Sequence, residues 1–507
     1  MKRSALYVAL AACFSTGVAA NPTGPVVVGG TASFTQSGKS LQITNSPGAV
    51  IQWQGFSIGA DETTRFIQSN AASTVLNRVV GSGSSQILGQ LLSNGRVFLL
   101  NPNGVFIGNG AVVDVAGFAA STLRMADSDF LAGRFRVDDI AGAGKIVNRG
   151  TIRTPAGGSV FLVAPSVENS GLITSPSGQI ILAAGRKVEL VTAASPDVRV
   201  ELRAPDNAVL NVGQVVADAG QVGIFGTTVR NAGTIRAGTA RVDASGRVFL
   251  VAKDVMLDAG STVSANGAKG GSVRIEAQGG TLETSGDVSA VGASGKGGDI
   301  ALLGTHVGVL GTVAASGASG GGTIEIGGSR QGQGPLPNSD AVFIGADAKV
   351  NADARERGNG GKLIVFSNLA TRIYGELSAR GGAEGGDGGF IETSGLKYLD
   401  VATLPDATAA RGAGGVWLID PNDLQITAAT TANTSTAANT PVAGTTTYAT
   451  TTDTATLSAA TINAALNFGT NVVIQTTTGA PSSQSGDVTF AAGISKSSGA
   501  ADVSLTI

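Results

Sequence analysis

The sequence is poor in the residues that supply cross-links, metal sites and one-sided charge. It has one cysteine, Cys13, and one histidine, His306. One cysteine cannot form a disulfide framework within the chain, and one histidine argues against a multi-histidine metal site or a histidine-dependent catalytic triad. We therefore expect no metal and no cofactor. Lys plus Arg number 34 and Asp plus Glu 36, with the signs interspersed, so no basic surface for nucleic acid or anionic lipid is expected.

Long apolar runs are also missing after Ala20, so no transmembrane helix is expected. The segment from Met1 to Ala20 passes from a basic start through an apolar stretch to small residues, which predicts a secretory signal peptide cleaved between Ala20 and Asn21. A lipoprotein cleavage box from Leu10 to Cys13, with a lipid on Cys13, is the alternative. Cleavage after Ala20 would leave a mature chain without cysteine, stabilised by burial and backbone pairing alone.

Glycine and aliphatic residues are abundant instead. The chain has 75 glycines, and 42 % of its residues are hydrophobic, which is too many for a disordered linker. Few blocks of helix-forming residues occur. This composition predicts many short strands joined by tight turns.

Two short elements recur in alternation. One is a glycine, a polar residue and an apolar strand; the other is Asn-x-Gly-x-Ile. The first begins at Gly95, Gly158, Gly178 and Gly246, and the second at Asn148, Asn169 and Asn231. Two interleaved elements that share one spacing indicate one repeated structural unit.

Paired glycines continue the pattern towards the C terminus, each followed by an apolar strand. The pairs begin at Gly270, Gly297, Gly321, Gly360, Gly388 and Gly414. The longest interval contains a polar insertion at residues 329–340, which a solenoid tolerates in one loop. Glycine would allow the positive φ that sharp corners need.

Such short repeated units, without helical periodicity, predict an all-β fold, a right-handed parallel β-helix. The alternating segment at residues 198–203, followed by a turn sequence, predicts an antiparallel β-hairpin outside the coils near residues 198–212. We expect five segments: a signal peptide (1–20), an N-terminal domain (21–260), β-helical repeats (261–426), a Thr/Ala/Asn-rich linker (427–457) and further β repeats (458–507).

The sequence Asn101-Pro102-Asn103-Gly104 predicts a tight turn, because proline presets φ at the second position and asparagine and glycine suit the third and fourth. The Asn101 side chain can accept a backbone N–H bond and tighten the turn. By itself, this chemistry predicts a corner.

The sequence on either side of this turn resembles that of a known family. Residues 45–68 (NSPGAVIQWQGFSIGADETTRFIQ), 75–81 (VLNRVVG) and 86–122 (QILGQLLSNGRVFLLNPNGVFIGNGAVVDVAGFAAST) resemble the N-terminal domain of filamentous-haemagglutinin-type exoproteins of two-partner secretion. The resemblance covers residues 25–260 and implies a partner-recognition or secretion role for Asn101 to Gly104. An NPNL element found in part of the family is absent here.

The resemblance implies a chain exported across the outer membrane of a Gram-negative bacterium by a barrel transporter with periplasmic recognition domains. We expect a secreted or surface-attached adhesin that meets a host-cell or surface receptor and has no catalytic residues. The alternatives are a haem or iron-carrier binding exoprotein and a β-helical polysaccharide-degrading enzyme. Paired carboxylates for the enzyme would come from Asp61–Glu62 or Asp138–Asp139.

Overall fold

The computed structural model describes residues 21–192, 195–201, 208–238, 246–428, 454–476, 485–499 and 502–507. The expected signal peptide and most of the expected linker lie outside the described residues. Within them, 37 strands join in one sheet whose pairings are parallel apart from those of its first two strands. The predicted right-handed parallel β-helix is confirmed.

The strands and helices follow one another closely along the chain. The first part contains β1 (Val26–Gly29), β2 (Ala32–Ser37), β3 (Ser40–Asn45), β4 (Ala49–Trp53), β5 (Thr63–Ile67), β6 (Thr74–Val79), β7 (Ser85–Ile87), β8 (Gln90–Leu100), β9 (Val105–Ile107), β10 (Val112–Ser121), α1 (Asp127–Leu131), β11 (Phe135–Val137), β12 (Ile146–Asn148), β13 (Thr151–Arg153), β14 (Ser159–Ala164), β15 (Ser166–Asn169), β16 (Leu172–Thr174), β17 (Gln179–Ala184), β18 (Lys187–Thr192) and β19 (Ser195–Glu201). The middle part contains β20 (Ala208–Asn211), β21 (Gln214–Val216), β22 (Gln221–Asn231), β23 (Thr234–Arg236), β24 (Arg247–Leu257), β25 (Thr262–Ser264), β26 (Ser272–Thr284), β27 (Asp287–Ser289), β28 (Asp299–Val309), β29 (Thr312–Ala314) and β30 (Thr323–Ile326). The last part contains a short 3-10 turn (Arg330–Gly332), β31 (Ala341–Ile344), β32 (Lys349–Asn351), β33 (Lys362–Ser367), β34 (Ala370–Ile373), β35 (Glu376–Ser378), β36 (Phe390–Gly395), β37 (Tyr398–Val401), β38 (Val416–Ile419), β39 (Leu424–Thr427), β40 (Ala455–Ser458), α2 (Ala459–Phe468), β41 (Asn471–Ile474), β42 (Val488–Phe490) and β43 (Leu505–Thr506).

Each coil contributes to three columns of stacked strands. Column A includes β3, β5, β13, β16, β21, β23, β25, β27, β29, β32 and β35. Column B includes β4, β6, β14, β17, β30, β33, β36, β38 and β41, and column C includes β7, β9, β12, β15, β20, β31, β34 and β37. Long strands bend across two columns: β8 and β10 run from A to B, and β22, β24, β26 and β28 run from B to C.

Alternate side chains of each strand point into the coil and stack on the same position of the next coil. In column B, Val160, Ile180, Val222 and Val248 occupy successive coils in register, and all four are fully buried. Since stacked strands lie about 4.8 Å apart, these aliphatic side chains form a continuous core along the axis. The recurring apolar strands seen in the sequence are therefore the inner surface of column B.

The paired glycines have a different function from the one expected. The second glycine of each pair is not in the positive-φ region; instead, it stacks on the equivalent glycine of the preceding coil. A Cβ at Gly298 would lie 2.0 Å from the carbonyl oxygen of Gly271, and a Cβ at Gly322 would lie 2.1 Å from that of Gly298. Close approach of backbone to backbone, rather than a sharp corner, requires glycine here.

The N-terminal end of the solenoid is closed by antiparallel strands. β1 pairs with β4, and β2 with β3, on the first coil. The indole of Trp53 is fully buried between Phe34 and Phe56, at centroid distances of 5.7 and 5.6 Å, and its Nε1 donates to Asn77 Oδ1 at 2.9 Å. This cap covers the first coil, which has no preceding coil to stack on.

A second layer covers the outer face of column B. It contains α1, β11 and an antiparallel hairpin of β18 and β19, and its apolar residues, including Phe130 and Phe135, pack against outward side chains such as Leu100 and Val163. The hairpin lies at residues 187–201 rather than near 198–212. β20, which lies within the predicted range, belongs to column C instead, because Val209 pairs with Val167 in the coil below.

The C-terminal part departs from the simple repeat. A helix, α2, lies between β40 and β41; the Ser458 hydroxyl caps its N terminus and Gly469 ends it at φ 93°. β39, β40 and β42 form a small parallel sheet of their own, while β41 and β43 continue column B. Further β repeats were expected at residues 458–507, and α2 was not anticipated.

The polar insertion is a strap between columns B and C, at residues 327–339. The Gln331 backbone N–H donates to Glu392 Oε1 at 2.7 Å, and the Gln331 side chain donates to Asp420 Oδ2 at 3.0 Å. The Arg330 guanidinium lies 4.9 Å from the centroid of the Phe390 ring. Three contacts therefore hold the strap against the outer face of column B.

Glu392 is fully buried beneath the strap. Its Oε1 also accepts from the Ser394 hydroxyl at 2.9 Å, whereas its buried Oε2 has no hydrogen-bond partner among the described residues. Burial raises the pKa of Glu392 to about 7, although the bonds from Gln331 and Ser394 and the nearby Arg330 oppose the shift. The charged form of this carboxyl is therefore unfavourable in the folded chain.

We expect Gly298→Ala to destabilise the solenoid by about 3 kcal/mol or more, because the new methyl group would overlap the Gly271 carbonyl and backbone cannot move aside as a side chain can. Thermal unfolding followed by circular dichroism would measure this. Gly493→Ala is the matched control, since a Cβ there meets no atom within 4 Å. Equal melting temperatures for the two variants would contradict the close-approach explanation.

We expect the strap to be held less tightly as the pH rises. A carboxyl whose folded pKa exceeds its ordinary 4.5 leaves stability unaffected below pH 4.5, lowers it progressively between 4.5 and about 7, and lowers it fully above 7. Glu392→Gln keeps the accepting oxygen without the charge, so it should stabilise the strap at pH 8 by up to about 3 kcal/mol and have little effect at pH 4. Hydrogen exchange of residues 327–339 at both pH values would measure this.

Glu325→Gln is the control for the strap, because Glu325 lies in the same outward column two coils away. A stabilisation at pH 8 that Glu325→Gln reproduces would show that general charge reduction, rather than Glu392, is responsible.

Candidate functional site

The Asn101–Gly104 segment forms the corner between β8 of column B and β9 of column C. The Gly104 backbone N–H donates to the Asn101 carbonyl at 3.1 Å, which closes the predicted four-residue turn, and Gly104 has a φ of 116°. A Cβ at Gly104 would also lie 3.2 Å from the Lys145 carbonyl oxygen. Glycine is required here both by conformation and by the neighbouring coil.

Asn101 joins this corner to the coil below. Its side chain is fully buried, and its Nδ2 donates to the Gly83 carbonyl and to Ser85 Oγ, both at 3.0 Å. Its Oδ1 accepts the Asn103 backbone N–H at 3.0 Å, as the turn chemistry predicted. The Asn101 amide thus links two successive coils while it tightens its own turn.

Pro102 and Asn103 form the outer side of the corner. Asn103 is exposed, and its Nδ2 donates to the Gly81 carbonyl at 2.9 Å. Pro102 is half-buried, and its carbonyl accepts the Gly144 N–H at 2.7 Å. The two asparagines therefore differ: Asn101 is internal, and Asn103 presents its side chain at the surface.

The corner lies where the chain leaves the solenoid to build the second layer. The Asn101 N–H donates to the Ser121 carbonyl at 3.0 Å, and Ser121 is the last residue of β10. The chain returns at Gly144 and Lys145, which contact the corner from the other side. One turn thus contacts the preceding coil, the exit of the chain and its re-entry.

A ladder of buried asparagine side chains runs along column C, and only some of its members were recognised as a repeat in the sequence. Asn148, Asn169, Asn211 and Asn231 stack in successive coils of column C, each Nδ2 donating to the next Oδ1 at 2.8, 2.8 and 2.7 Å. Three of the four stood out as Asn-x-Gly-x-Ile; Asn211 starts Asn-Val-Gly-Gln-Val and was missed. The shared Asn-x-Gly was the signal that could have identified it.

The other residues singled out in the sequence lie apart from the corner. Asn21 is largely buried against the first coils, where its Nδ2 donates to the Lys39 carbonyl at 3.2 Å; Ala20 lies outside the described residues, so cleavage between them stays a prediction. His306 is half-exposed in β28.

Three of the four carboxylates in the adjacent acidic pairs have local partners. Asp61 pairs with Lys39 at 2.8 Å, and Glu62 accepts the Gly59 N–H at 2.8 Å. Asp139 pairs with Arg186 at 3.0 Å. In the part of the chain that the structure describes, no three His, Cys, Asp or Glu side chains are placed to hold a metal ion together, and no helix is long and apolar enough to cross a membrane.

Comparison with known proteins gives two relatives, both heme/hemopexin-binding proteins of Haemophilus influenzae. One is 30 % identical over 236 residues, and the other is 39 % identical over 118 residues. These segments are 45 % and 22 % of this chain but 24 % and 13 % of the relatives. The chain therefore spans about a quarter or less of the length of the curated relatives it matches.

A solved structure shares the fold. The crystal structure of the HMW1 secretion domain from Haemophilus influenzae is 30 % identical, has a TM-score of 0.63, and covers 79 % of this chain and 100 % of its own. A family model described as the TPS secretion domain matches residues 18–275, which is half of the chain. The resemblance seen in the sequence is confirmed, and the chain belongs to the family of exoproteins that carry a TPS secretion domain.

Proposed function

We propose that this chain is exported across the outer membrane by a partner barrel transporter that recognises its secretion domain, and that it acts outside the cell. The observation that carries the proposal is the family match over residues 18–275. The expected transporter has periplasmic recognition domains, and the exposed side of the Asn101–Gly104 corner is the surface we propose for recognition.

The fold supports export in an unfolded form. Cys13 is the only cysteine in the sequence, so no disulfide can form within the chain after the expected leader. Each coil stacks on the one before it, starting from the capped N-terminal coil, so folding can advance coil by coil as the chain emerges. Each added coil buries apolar surface worth roughly 25 cal/mol per Å², which would favour forward movement without a nucleotide.

Substituting the two asparagines of the corner one at a time distinguishes an effect on recognition from an effect on stability. Asn101→Ala removes a buried amide and leaves the Gly83 carbonyl without its donor, so we expect a loss of about 1 to 3 kcal/mol of stability. Asn103→Ala removes two hydrogen bonds of an exposed side chain, one to the Gly81 carbonyl and one to Asn101 Oδ1, and should cost about 1 kcal/mol or less. If the transporter recognises the corner, Asn103→Ala should nevertheless lower export severalfold.

Export would be measured as protein in the medium from cells that co-express the chain with its transporter, and melting temperatures would be measured on the purified variants. Gln36→Ala is the control, because its side-chain amide is likewise exposed and also donates to a backbone carbonyl, that of Gly38. Export that depends only on melting temperature would reduce the motif to a structural corner. Equal export without the transporter would contradict the proposed route.

A second candidate function is the capture of haem or of a haem-carrying protein. The observation that favours it is the name of the two relatives. Haem iron in proteins is most often held by a histidine, and also by cysteine, methionine or tyrosine. His306, the one histidine in the sequence, is half-exposed in β28 and is therefore the first ligand to test.

If the chain binds haem directly through His306, the His306→Ala variant should weaken hemin binding at least tenfold and remove the shift in the hemin absorption band. A titration of the full chain with hemin would measure both. Unchanged binding by the variant would exclude His306 as the ligand, and a chain that binds hemopexin but not hemin would point to capture of the carrier.

Adhesion stays a prediction, because neither relative's name refers to it. We likewise propose a non-enzymatic role, which is supported by the structural partners of Asp61, Glu62 and Asp139.

A further inference from the structure

A groove runs along the outer face of column B, beside the second layer. It has a volume of about 910 Å³ and crosses the coils that contain β8, β10, β14, β17, β22 and β24. Its floor is the sheet, and one wall is the segment from Phe130 to Phe135. This volume lies in the range typical of ligand sites.

The charge of the groove has one sign. Among the described residues that line it, Arg96, Arg134 and Arg247 are cationic and none is acidic. Arg134 pairs with Asp129 at 2.7 Å, whereas Arg96 and Arg247 are exposed and form no ion pair with the described part of the chain. Two guanidinium groups are therefore available to an anionic ligand.

The floor of the groove is a polar row that follows the solenoid axis. Arg96, Ser159, Gln179, Gln221 and Arg247 occupy the same outward position in column B, with Gly117 between the first two. Five coil steps of about 4.8 Å separate the two arginines, a distance of about 24 Å. Cationic ends thus flank a centre of hydroxyl and amide groups.

Two features of the backbone indicate that the groove is suited to hold a ligand. A Cβ at Gly117 would lie 3.1 Å from Arg96 Cγ, so the absence of a side chain there lets Arg96 lie along the groove. At the rim, Ser177 and Ala219 occupy adjacent corners in the left-handed region, with φ of 52° and 60°. Such conformations are unfavourable for residues other than glycine and often occur at binding sites.

The half-buried rings of Phe98 and Phe161 are held by Phe135 of the wall, at centroid distances of 6.3 and 5.4 Å. They form a fixed apolar edge beside the polar row. Rigid aromatic edges next to hydroxyl and amide groups suit amphipathic ligands such as sugar rings.

The backbone of the floor decides between two kinds of extended ligand. Its N–H and C=O groups are already paired with the coils on both sides, so a peptide cannot be captured by strand addition. Recognition must use side chains alone. Guanidinium groups bind carboxylate and sulfate, and serine and glutamine bind hydroxyl groups.

We propose that this groove binds an extended acidic polysaccharide that lies along the solenoid axis, its anionic groups on Arg96 and Arg247 and its hydroxyl groups on the residues between. The site uses the folded chain and does not depend on the proposed transporter. It gives the outer face of the secretion domain a binding function in the folded chain.

The test uses the purified full chain and three polymers: dextran sulfate, polygalacturonate and neutral dextran. Calorimetric titration at physiological salt should show binding of one or both acidic polymers and none of dextran. The double variant Arg96→Gln and Arg247→Gln should weaken that binding at least tenfold while circular dichroism stays unchanged. Binding of dextran sulfate alone would assign the site to sulfate, and binding of polygalacturonate alone would assign it to carboxylate.

The control variant, Arg65→Gln and Lys253→Gln, removes the same charge from two exposed cations outside the groove. An equal loss of binding in this control would overturn the proposal in favour of general charge attraction. The proposal is also overturned if neither acidic polymer binds, or if a single-stranded DNA of equal charge binds as tightly through the same arginines.

Discussion

The structure depends on the close approach of one coil's backbone to the next. Strand pairing fixes the spacing in the columns, but the corners must come just as close, and there the equivalent glycines of neighbouring coils meet. At Gly271, Gly298 and Gly322, the space for a Cβ is taken by the carbonyl oxygen of the coil below. From Gly246 to Gly415, a column of glycines therefore restricts the register of the solenoid: a residue that slipped to a neighbouring position would bring a side chain against a backbone carbonyl.

This constraint explains which parts of the fold could be predicted from the sequence. Strands that follow a glycine were found because the glycine and the buried aliphatic residues recur at the same spacing. β10 was not, since it carries Gly117 within the strand rather than before it, where the Arg96 side chain crosses. The hairpin was placed too far along the chain because the alternating residues 198–201 belong to β19, which is the second strand of the hairpin rather than its first. Its partner, β18, precedes the alternating segment, and β20 pairs within column C through Val167 and Val209.

For the candidate site, the sequence predicted the local turn but not its contacts with the neighbouring coil. The sequence Asn101-Pro102-Asn103-Gly104 was enough to predict the turn and a bond from a nearby backbone N–H to the Asn101 side chain, because those contacts lie within the turn itself. It could not predict that Asn101 is internal and Asn103 external. Their partners, at Gly81, Gly83 and Ser85, lie one coil earlier in a segment without a motif. Contacts between coils are set by the stacking register, which local turn chemistry does not contain.

The outer face of column B carries the features that make this solenoid more than a repeated unit. Without additions, the outer face of a column would be a flat sheet surface exposed to solvent. In this chain, successive stretches of that face carry different structures. The second layer covers it at Leu100 and Val163, the groove follows it from Arg96 to Arg247, and the strap covers it at Glu392. All three are built from segments outside the coils or from outward side chains, because the core needs only the inward half of each strand. The solenoid can therefore acquire binding surfaces without altering the stacking by which it folds.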